Sequence, residues 1–176
     1  MREVDEQTKI KNRDLCERYP FLIPYSQRER ILGTESEDGW FWAGGPEVVP
    51  EYDYEYTELD SMPLGWRLAF GEQMCEELKN AILMDGGKDA LNEYCIVQIK
   101  EKWGRLNWYD MGNTSHGYDV VGKYQDISKT TCIRCGKPAA WISKGWISPF
   151  CDDCAKETCL GWPEQFSPIE EFYVPQ

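Results

Sequence analysis

Four cysteines in two close pairs constrain this chain more than any other feature of its sequence. Cys132 and Cys135 are separated by two residues, as are Cys151 and Cys154, and residues 136–150 lie between the pairs. A two-residue gap lets both sulfurs of a pair face one point, and two such pairs supply the four ligands of a tetrahedral zinc site. The spacing therefore predicts Zn²⁺ bound by all four cysteines. The alternative is a set of reduced core thiols or disulfides.

The residues around these pairs predict a small zinc module with a packed tail over residues 130–176. Gly136 follows the first pair, where a knuckle needs a residue that tolerates positive φ. Residues 140–143 and 146–148 are predicted as strands that turn at Lys144-Gly145, and a short helix follows the second pair. The order of knuckle, hairpin and helix predicts a treble-clef or ribbon-like module. Such a site is coordinatively closed, so we expect its metal to be structural rather than catalytic.

Residues 1–129 are predicted to form an acidic α+β body. Helices are expected over residues 3–18, 61–84 and 118–129, and a hairpin over residues 94–110, turning at Trp103-Gly104. The predicted fold class is therefore α+β, with helices packed on a small antiparallel sheet and a C-terminal four-cysteine zinc module.

Apolar spacing predicts which side chains of the body are buried. The 61–84 helix carries an apolar stripe at every fourth position, and the 3–18 helix carries a thinner one. In the hairpin, alternation places one set of side chains toward the core. The predicted core residues are Val4, Ile10, Leu15 and Cys16; Trp66, Phe70, Met74, Leu78 and Ile82; and Cys95, Val97, Ile99, Leu106 and Trp108.

Negative charge is the second strong signal. The formal net charge is -12, and residues 31–66 contain no Lys or Arg. A chain of this charge lacks the clustered bases of a nucleic-acid footprint and is attracted to basic surfaces. The acids of that segment are Glu35, Glu37, Asp38, Glu47, Glu51, Asp53, Glu55, Glu58 and Asp60.

The acid-rich segment has two interpretations. Its charges can be a solvated face above a loop-rich lobe. Alternatively, they form an anionic surface with aromatic anchors for a basic partner, because aromatic residues dominate many interfaces. The alternation of acids and tyrosines over residues 51–56 predicts a strand with one aromatic and one anionic face. On the second interpretation, the contact residues are Glu35, Glu37, Asp38, Glu51, Asp53, Glu55, Glu58 and Asp60.

The sequence offers little for catalysis. It has a single histidine, His116, and lacks the two-histidine metal motif, the nucleophile elbow and the phosphate-binding loop of common enzyme families. We therefore expect no enzymatic activity. Whether Cys159 or His116 touches the metal site is left open by the spacing. The chain has no apolar run long enough for a membrane helix, and its charged first residues lack a secretory signal, so we expect a cytoplasmic protein.

Residues 96–106 have the sequence Ile-Val-Gln-Ile-Lys-Glu-Lys-Trp-Gly-Arg-Leu. Together with the two cysteine pairs and Gly145-Trp146, they form a characteristic sequence pattern. Over residues 60–160 this pattern resembles small zinc-binding proteins of phage and prophage origin. The resemblance implies a phage context and the cytoplasm of a bacterial host. Small acidic phage proteins of this kind, including a zinc-containing one, are similar in type to anti-CRISPR inhibitors of the type II effector nuclease. Only the four cysteines carry over from that group.

Two functions are consistent with these features. The first is a non-catalytic inhibitor that binds a type II CRISPR effector nuclease, or another basic nucleic-acid-processing protein, and blocks DNA loading or cleavage. Its acidic surface would meet the basic channels of that enzyme. The second is a nucleic-acid-binding or regulatory accessory protein whose zinc module stacks an exposed tryptophan on single-stranded bases. The net charge of -12 opposes direct binding of nucleic acid.

Overall fold

The computed structural model describes residues 4–27 and 52–173. It confirms an α+β fold with two small antiparallel sheets and a C-terminal four-cysteine cluster. Short 3₁₀ turns at Pro20–Leu22 and Glu58–Ser61 and a π-helical turn at Arg67–Gly71 interrupt the regular elements. The helices and strands, numbered here in chain order, are α1 (Glu6–Arg18), α2 (Leu64–Trp66), α3 (Glu72–Glu93), β1 (Cys95–Lys102), β2 (Arg105–Met111), α4 (Ser115–Lys129), β3 (Trp141–Ser143), β4 (Pro149–Phe150), α5 (Asp152–Glu157), β5 (Phe166–Pro168) and α6 (Ile169–Phe172).

Helix α1 begins at Asp5, whose carboxylate accepts a hydrogen bond from the Thr8 amide at 2.9 Å. Such a cap satisfies an amide that the first helical turn leaves without a partner. Cys16 is buried as predicted, but Ile10 is 59% exposed, so the predicted stripe was wrong at that position. Asn12 is buried instead, because its side-chain amide donates to the Tyr54 carbonyl at 2.8 Å.

The long helical segment α2–α3 is the centre of the main core. Its predicted stripe is buried at all five positions: Trp66, Phe70, Met74, Leu78 and Ile82. In a regular α-helix, residues four apart rotate by about 40° per step around the axis, so such a stripe drifts off the buried face. The π-helical turn at Arg67–Gly71 holds more residues per turn and takes up part of that drift. A kink at Gly87, with φ 66°, separates the last turns of α3, close to the predicted helix end.

Strands β1 and β2 form the predicted hairpin, but with a bulge. The pairing shifts between Ile96 and Gln98, which leaves Val97 as the extra residue. Val97 is 51% exposed, whereas Ile96 and Ile99 are buried, so the predicted inward position of Val97 was wrong. A bulge adds one residue between successive inward side chains, which is why simple alternation fails here. Leu106 and Trp108 on β2 are buried as predicted.

Residues 52–57 form no strand, which corrects the prediction for residues 51–56 within its described part; Glu51 lies outside the described residues. Tyr54 has φ 63°, a left-handed conformation that ends any extended run. The segment packs against α1 instead. Lys9 forms ion pairs with Asp53 at 3.0 Å and with Glu55 at 3.3 Å.

Helix α4 starts earlier than predicted. The helix predicted over residues 118–129 begins at Ser115, because Thr114 caps it by accepting from the Gly117 amide at 3.3 Å. His116 therefore lies in the first helical turn. Its Nδ1 is 2.5 Å from a carboxylate oxygen of Asp85, which joins α4 to α3.

This histidine predicts a specific pH dependence of stability. The hydrogen bond and the charge of Asp85 raise the pKa of His116 above its ordinary value of 6.5. The stability from the pair is fully present below the unfolded pKa and is lost as pH rises through the folded pKa. We expect the melting temperature of His116→Gln to fall furthest below that of the wild type at about pH 5.5, and the difference to shrink by about pH 8.5. A difference that is constant across this range would contradict the prediction.

The second sheet has the order β4-β3-β5 and belongs to the four-cysteine region. The tail packs against this region, since β5 pairs with β3 and Phe166 is buried beside Phe150. Among residues 4–27 and 52–173, no helix is both long and apolar enough to span a bilayer.

Candidate metal centre

The first cysteine pair lies in a knuckle closed by backbone hydrogen bonds. The Cys132 amide donates to the Lys137 carbonyl at 2.8 Å, and the Gly136 amide donates to the Cys132 carbonyl at 3.0 Å. Gly136 has φ 80°, the left-handed conformation that the sequence predicted for it. The chain therefore reverses within a few residues, and both sulfurs of the pair face the same side.

The second pair lies where β4 passes into α5. Cys151 is the residue before the first turn of α5, and Cys154 lies within that turn. The preceding hairpin turns later than predicted: Trp141 pairs with Phe150 and Ile142 with Pro149, so Trp146 belongs to the loop rather than to a strand. The register moves because Ser143 closes a wider loop, accepting from the Ser148 amide at 3.1 Å.

The four sulfurs converge on one point. The Sγ atoms of Cys132, Cys135, Cys151 and Cys154 all lie within 4.8 Å of one another, and those of Cys135 and Cys151 are 3.5 Å apart. Zn–S bonds of about 2.3 Å in a tetrahedron place sulfurs about 3.8 Å apart, whereas a disulfide needs about 2 Å. All four cysteines are free thiols in this structure. The arrangement fits one metal ion with four thiolate ligands, and it does not fit disulfides.

The surroundings favour thiolates around a cation. Burial by itself would raise the pKa of the Cys132 thiol, but the amides of Cys151, Cys135 and Arg134 donate to its sulfur and bring the pKa to about 7. Burial and the neighbouring sulfurs raise the pKa of Cys154 instead. One thiolate is thus prepared by the backbone, whereas four together in this space require positive charge among them.

Aromatic and charged side chains fix the outer layer of the site. The Trp141 indole donates to Asp152 at 2.7 Å, and its ring meets Trp162 edge-on at 4.7 Å between centroids. Lys137 pairs with Asp153 at 3.1 Å across the two cysteine pairs. The Trp141 contact joins β3 to α5, and the Lys137 pair links the knuckle to α5 at the exposed surface of the site, the positions where outer contacts of metal sites generally lie.

The knuckle also rests directly on helix α2. The Gly65 amide donates to the Ile133 carbonyl at 2.9 Å, and the Trp66 indole donates to the Thr131 carbonyl at 2.9 Å. A Cβ at Gly65 would lie 2.2 Å from the Cys132 carbonyl oxygen. The backbone that carries the first metal ligand thus touches the backbone of the helix that centres the main core.

Neither of the two open alternatives joins the cluster. Cys159 is exposed and lies outside the group of four sulfurs, and His116 pairs with Asp85 on α3. Cys95 is buried, as the sequence predicted, and Cys75 is buried as well.

The predicted acidic contact surface is only partly described. Glu35, Glu37, Asp38 and Glu51 lie outside the described residues. Asp53 and Glu55 pair with Lys9; Asp60 pairs with Arg67 and accepts from the Thr57 amide at 2.7 Å; burial raises the pKa of Glu58. The four described acids therefore make contacts within the chain, and the structure does not bring them to the metal cluster.

Sequence reasoning missed two exposed tryptophans. Trp103 was treated as a turn residue and Trp146 as part of a strand, but both are largely exposed and line the same cleft. A tryptophan at a two-residue hairpin turn, where Asn, Asp or Gly is usual, was the available signal.

Comparisons with family models, with curated proteins and with solved structures find no match to this chain. The resemblance to phage zinc proteins therefore depends only on residues 96–106, Gly145-Trp146 and the two cysteine pairs. The metal site is inferred from the convergence of its four sulfurs.

Proposed function

We propose that the protein is a non-catalytic binding protein held together by a structural Zn²⁺. Four converging thiolates suit zinc, since soft sulfur ligands in a tetrahedron select it over harder cations. Four protein ligands leave no coordination position for a substrate or a water, so the metal has no catalytic role. Cys132, Cys135, Cys151 and Cys154 would hold the ion, whose bonds stabilise the knuckle against α5.

We further propose that the partner is a basic nucleic-acid-processing protein, and specifically a type II CRISPR effector nuclease in the cytoplasm of a bacterial host. The observation that carries this proposal is the net charge of -12. A guided nuclease is strongly basic along its guide and DNA channels. An anionic protein seated there would block DNA loading or cleavage. The phage-type resemblance of residues 96–106 and the cysteine pairs adds support.

The long-range field, rather than individual acids, supports this binding. Asp53, Glu55 and Asp60 already have partners of opposite charge within the chain. Their charges still contribute to attraction over about a Debye length, roughly 10 Å at 0.1 M salt. Excess negative charge accelerates association with a basic surface, and salt weakens this effect.

The proposal is tested by guided DNA cleavage with a purified type II effector and excess of this protein. We expect cleavage to slow when the protein is added before the DNA, and the inhibition to weaken between about 50 and 200 mM salt because the attraction is electrostatic. Full cleavage at low salt with the protein in excess would rule out this partner. Inhibition that salt does not change would rule out the anionic mechanism.

One observation favours a second function. Trp146, in the β3–β4 loop of the four-cysteine region, is 74% exposed, and exposed aromatic rings stack on single-stranded bases. A nucleic-acid-binding or regulatory accessory protein would use it in this way. Retardation of a single-stranded oligonucleotide in a gel at low salt would support that function, and free migration would exclude it.

A further inference from the structure

Two tryptophans that serve neither the core nor the metal cluster flank a single cleft. Trp103 is 68% exposed and Trp146 is 74% exposed, the highest values among the tryptophans in the described part of the chain. The cleft has a volume of about 390 Å³ and is lined by Glu101, Lys102, Trp103, Gly145, Trp146 and Ile147. Its two sides come from separate elements, the tip of the β1–β2 hairpin and the β3–β4 loop.

The position of Trp103 has a cost that the fold does not explain. Trp103 and Gly104 form the hairpin turn with φ 57° and 73°, respectively. A turn with two left-handed residues favours Asn, Asp or Gly, and a bulky side chain is strained there. Trp103 gains little burial in return, since most of its surface is exposed. Strained residues that contribute little packing are often found at binding sites.

The carboxylate of Glu101 holds the two sides of the cleft in place. One oxygen accepts from the Gly104 amide at 2.7 Å, and the other accepts from the Trp146 indole at 3.0 Å. The hairpin tip and the loop are therefore tied together through one negative charge in the cleft wall. The orientation of the Trp146 ring is set before any ligand arrives, which reduces the entropy lost on binding.

We propose that this cleft receives an arginine side chain from the basic partner of the proposed function, on which this inference rests. A guanidinium is flat, stacks on indole faces and pairs with carboxylates. The cleft offers two indoles and the Glu101 carboxylate, and the chain as a whole is attractive to cations. A nucleotide could use the same rings, but its phosphate would meet a protein with a net charge of -12.

Lys102 distinguishes the two candidate ligands of the cleft, because its positive charge repels an arginine and attracts a phosphate. It lines the cleft and is exposed. Lys102→Gln removes repulsion from an arginine and therefore tightens its binding. The same change removes attraction for a phosphate and therefore weakens the binding of an oligonucleotide.

The test follows the indole N–H signals of the ¹⁵N-labelled full chain. Three probes are titrated: a short glycine–arginine peptide, the same peptide with neutral citrulline in place of arginine, and an oligothymidylate of about ten nucleotides. We expect the arginine peptide to shift the signals of Trp103 and Trp146, and the other two probes to leave them unchanged. Equal shifts with citrulline, or shifts with the oligothymidylate alone, would overturn the proposal.

Trp103→Asn is the matched variant, since it removes the indole and places a residue that tolerates left-handed φ at the turn. We expect its melting temperature to be unchanged or higher, and its Kd for the arginine peptide to rise about twofold to thirtyfold, the range of a cation–π contact. An unchanged Kd in this folded variant would also overturn the proposal.

The outcomes distinguish this inference from the proposed function. If the arginine peptide binds but the nuclease is not inhibited, the cleft is still an arginine-binding site and the nuclease is the wrong partner. If the nuclease is inhibited but the peptide shifts neither tryptophan, the cleft is rejected and the inhibitor proposal remains.

Discussion

Replacing Cys132 by serine is expected to abolish metal binding and to unfold the four-cysteine region. Cys132 is fully buried, and its sulfur lies within 4.8 Å of the other three cysteine sulfurs, so the harder oxygen of a serine is a poor replacement for this ligand. Structural zinc sites contribute apparent binding free energies on the order of 10 kcal/mol, and this energy is available to folding only while all ligands are present. We expect purified wild-type protein to hold one zinc ion per chain by elemental analysis, and Cys132→Ser to hold far less and to melt at a lower temperature.

Cys159→Ser is the matched control for that experiment. Cys159 is the exposed cysteine of the same region, and its sulfur lies outside the cluster. Its replacement removes a thiol without removing a ligand, so the zinc content and melting temperature should equal those of the wild type. A folded Cys132→Ser variant with one zinc ion per chain would show that the four-cysteine arrangement is not the metal site.

The features that sequence reasoning predicted well are those that neighbouring residues decide. The spacing of each cysteine pair fixes how its two sulfurs face, and Gly136 supplies the left-handed residue that the knuckle needs. The apolar stripe from Trp66 to Ile82 is likewise a property of one helix. Lys102 and Arg105 are opposite each other in the strand register, so the hairpin turn between them has two residues. In each case the determining contacts are only a few residues apart in the chain.

The features that it missed depend on residues that are distant in the chain. The exposure of Val97 follows from the register of β1 against β2, which alternation within one strand cannot reveal. Asp53 and Glu55 each form an ion pair with Lys9, which lies far from them in the chain and partly neutralises their charges. The cleft between Trp103 and Trp146 exists because two separate loops meet through Glu101.

The contact between Gly65 and the knuckle also depends on residues that are distant in the chain. A substitution at this contact is expected to have the second large effect on stability. Gly65→Ala should destabilise the protein by about 3 kcal/mol, a large value for overpacking. The new Cβ would lie 2.2 Å from the Cys132 carbonyl oxygen and 2.6 Å from the carbonyl carbon and oxygen of Ile133. These neighbours are backbone atoms next to a metal ligand, so they cannot rotate aside as a flexible side chain would.

The sign of this effect is informative, because helix propensity predicts the opposite. Alanine is favoured over glycine inside a helix by about 1 kcal/mol, so an uncrowded Gly65 would be improved by the substitution. Chemical denaturation of both proteins measures the difference in the free energy of unfolding. Because metal binding is coupled to folding of the knuckle, Gly65→Ala should also weaken zinc affinity in competition with a chelator.

Gly122→Ala supplies the control with the expected opposite sign. Gly122 lies inside α4, and a Cβ added there meets no atom within 4 Å. This variant should gain about 0.5–1 kcal/mol from helix propensity and keep the wild-type affinity for zinc. If Gly65→Ala were also stabilising, the backbone of Cys132 and Ile133 would not lie in close contact with Gly65. If it destabilised the fold without weakening zinc binding, then the metal site would fold independently of the helix beneath it.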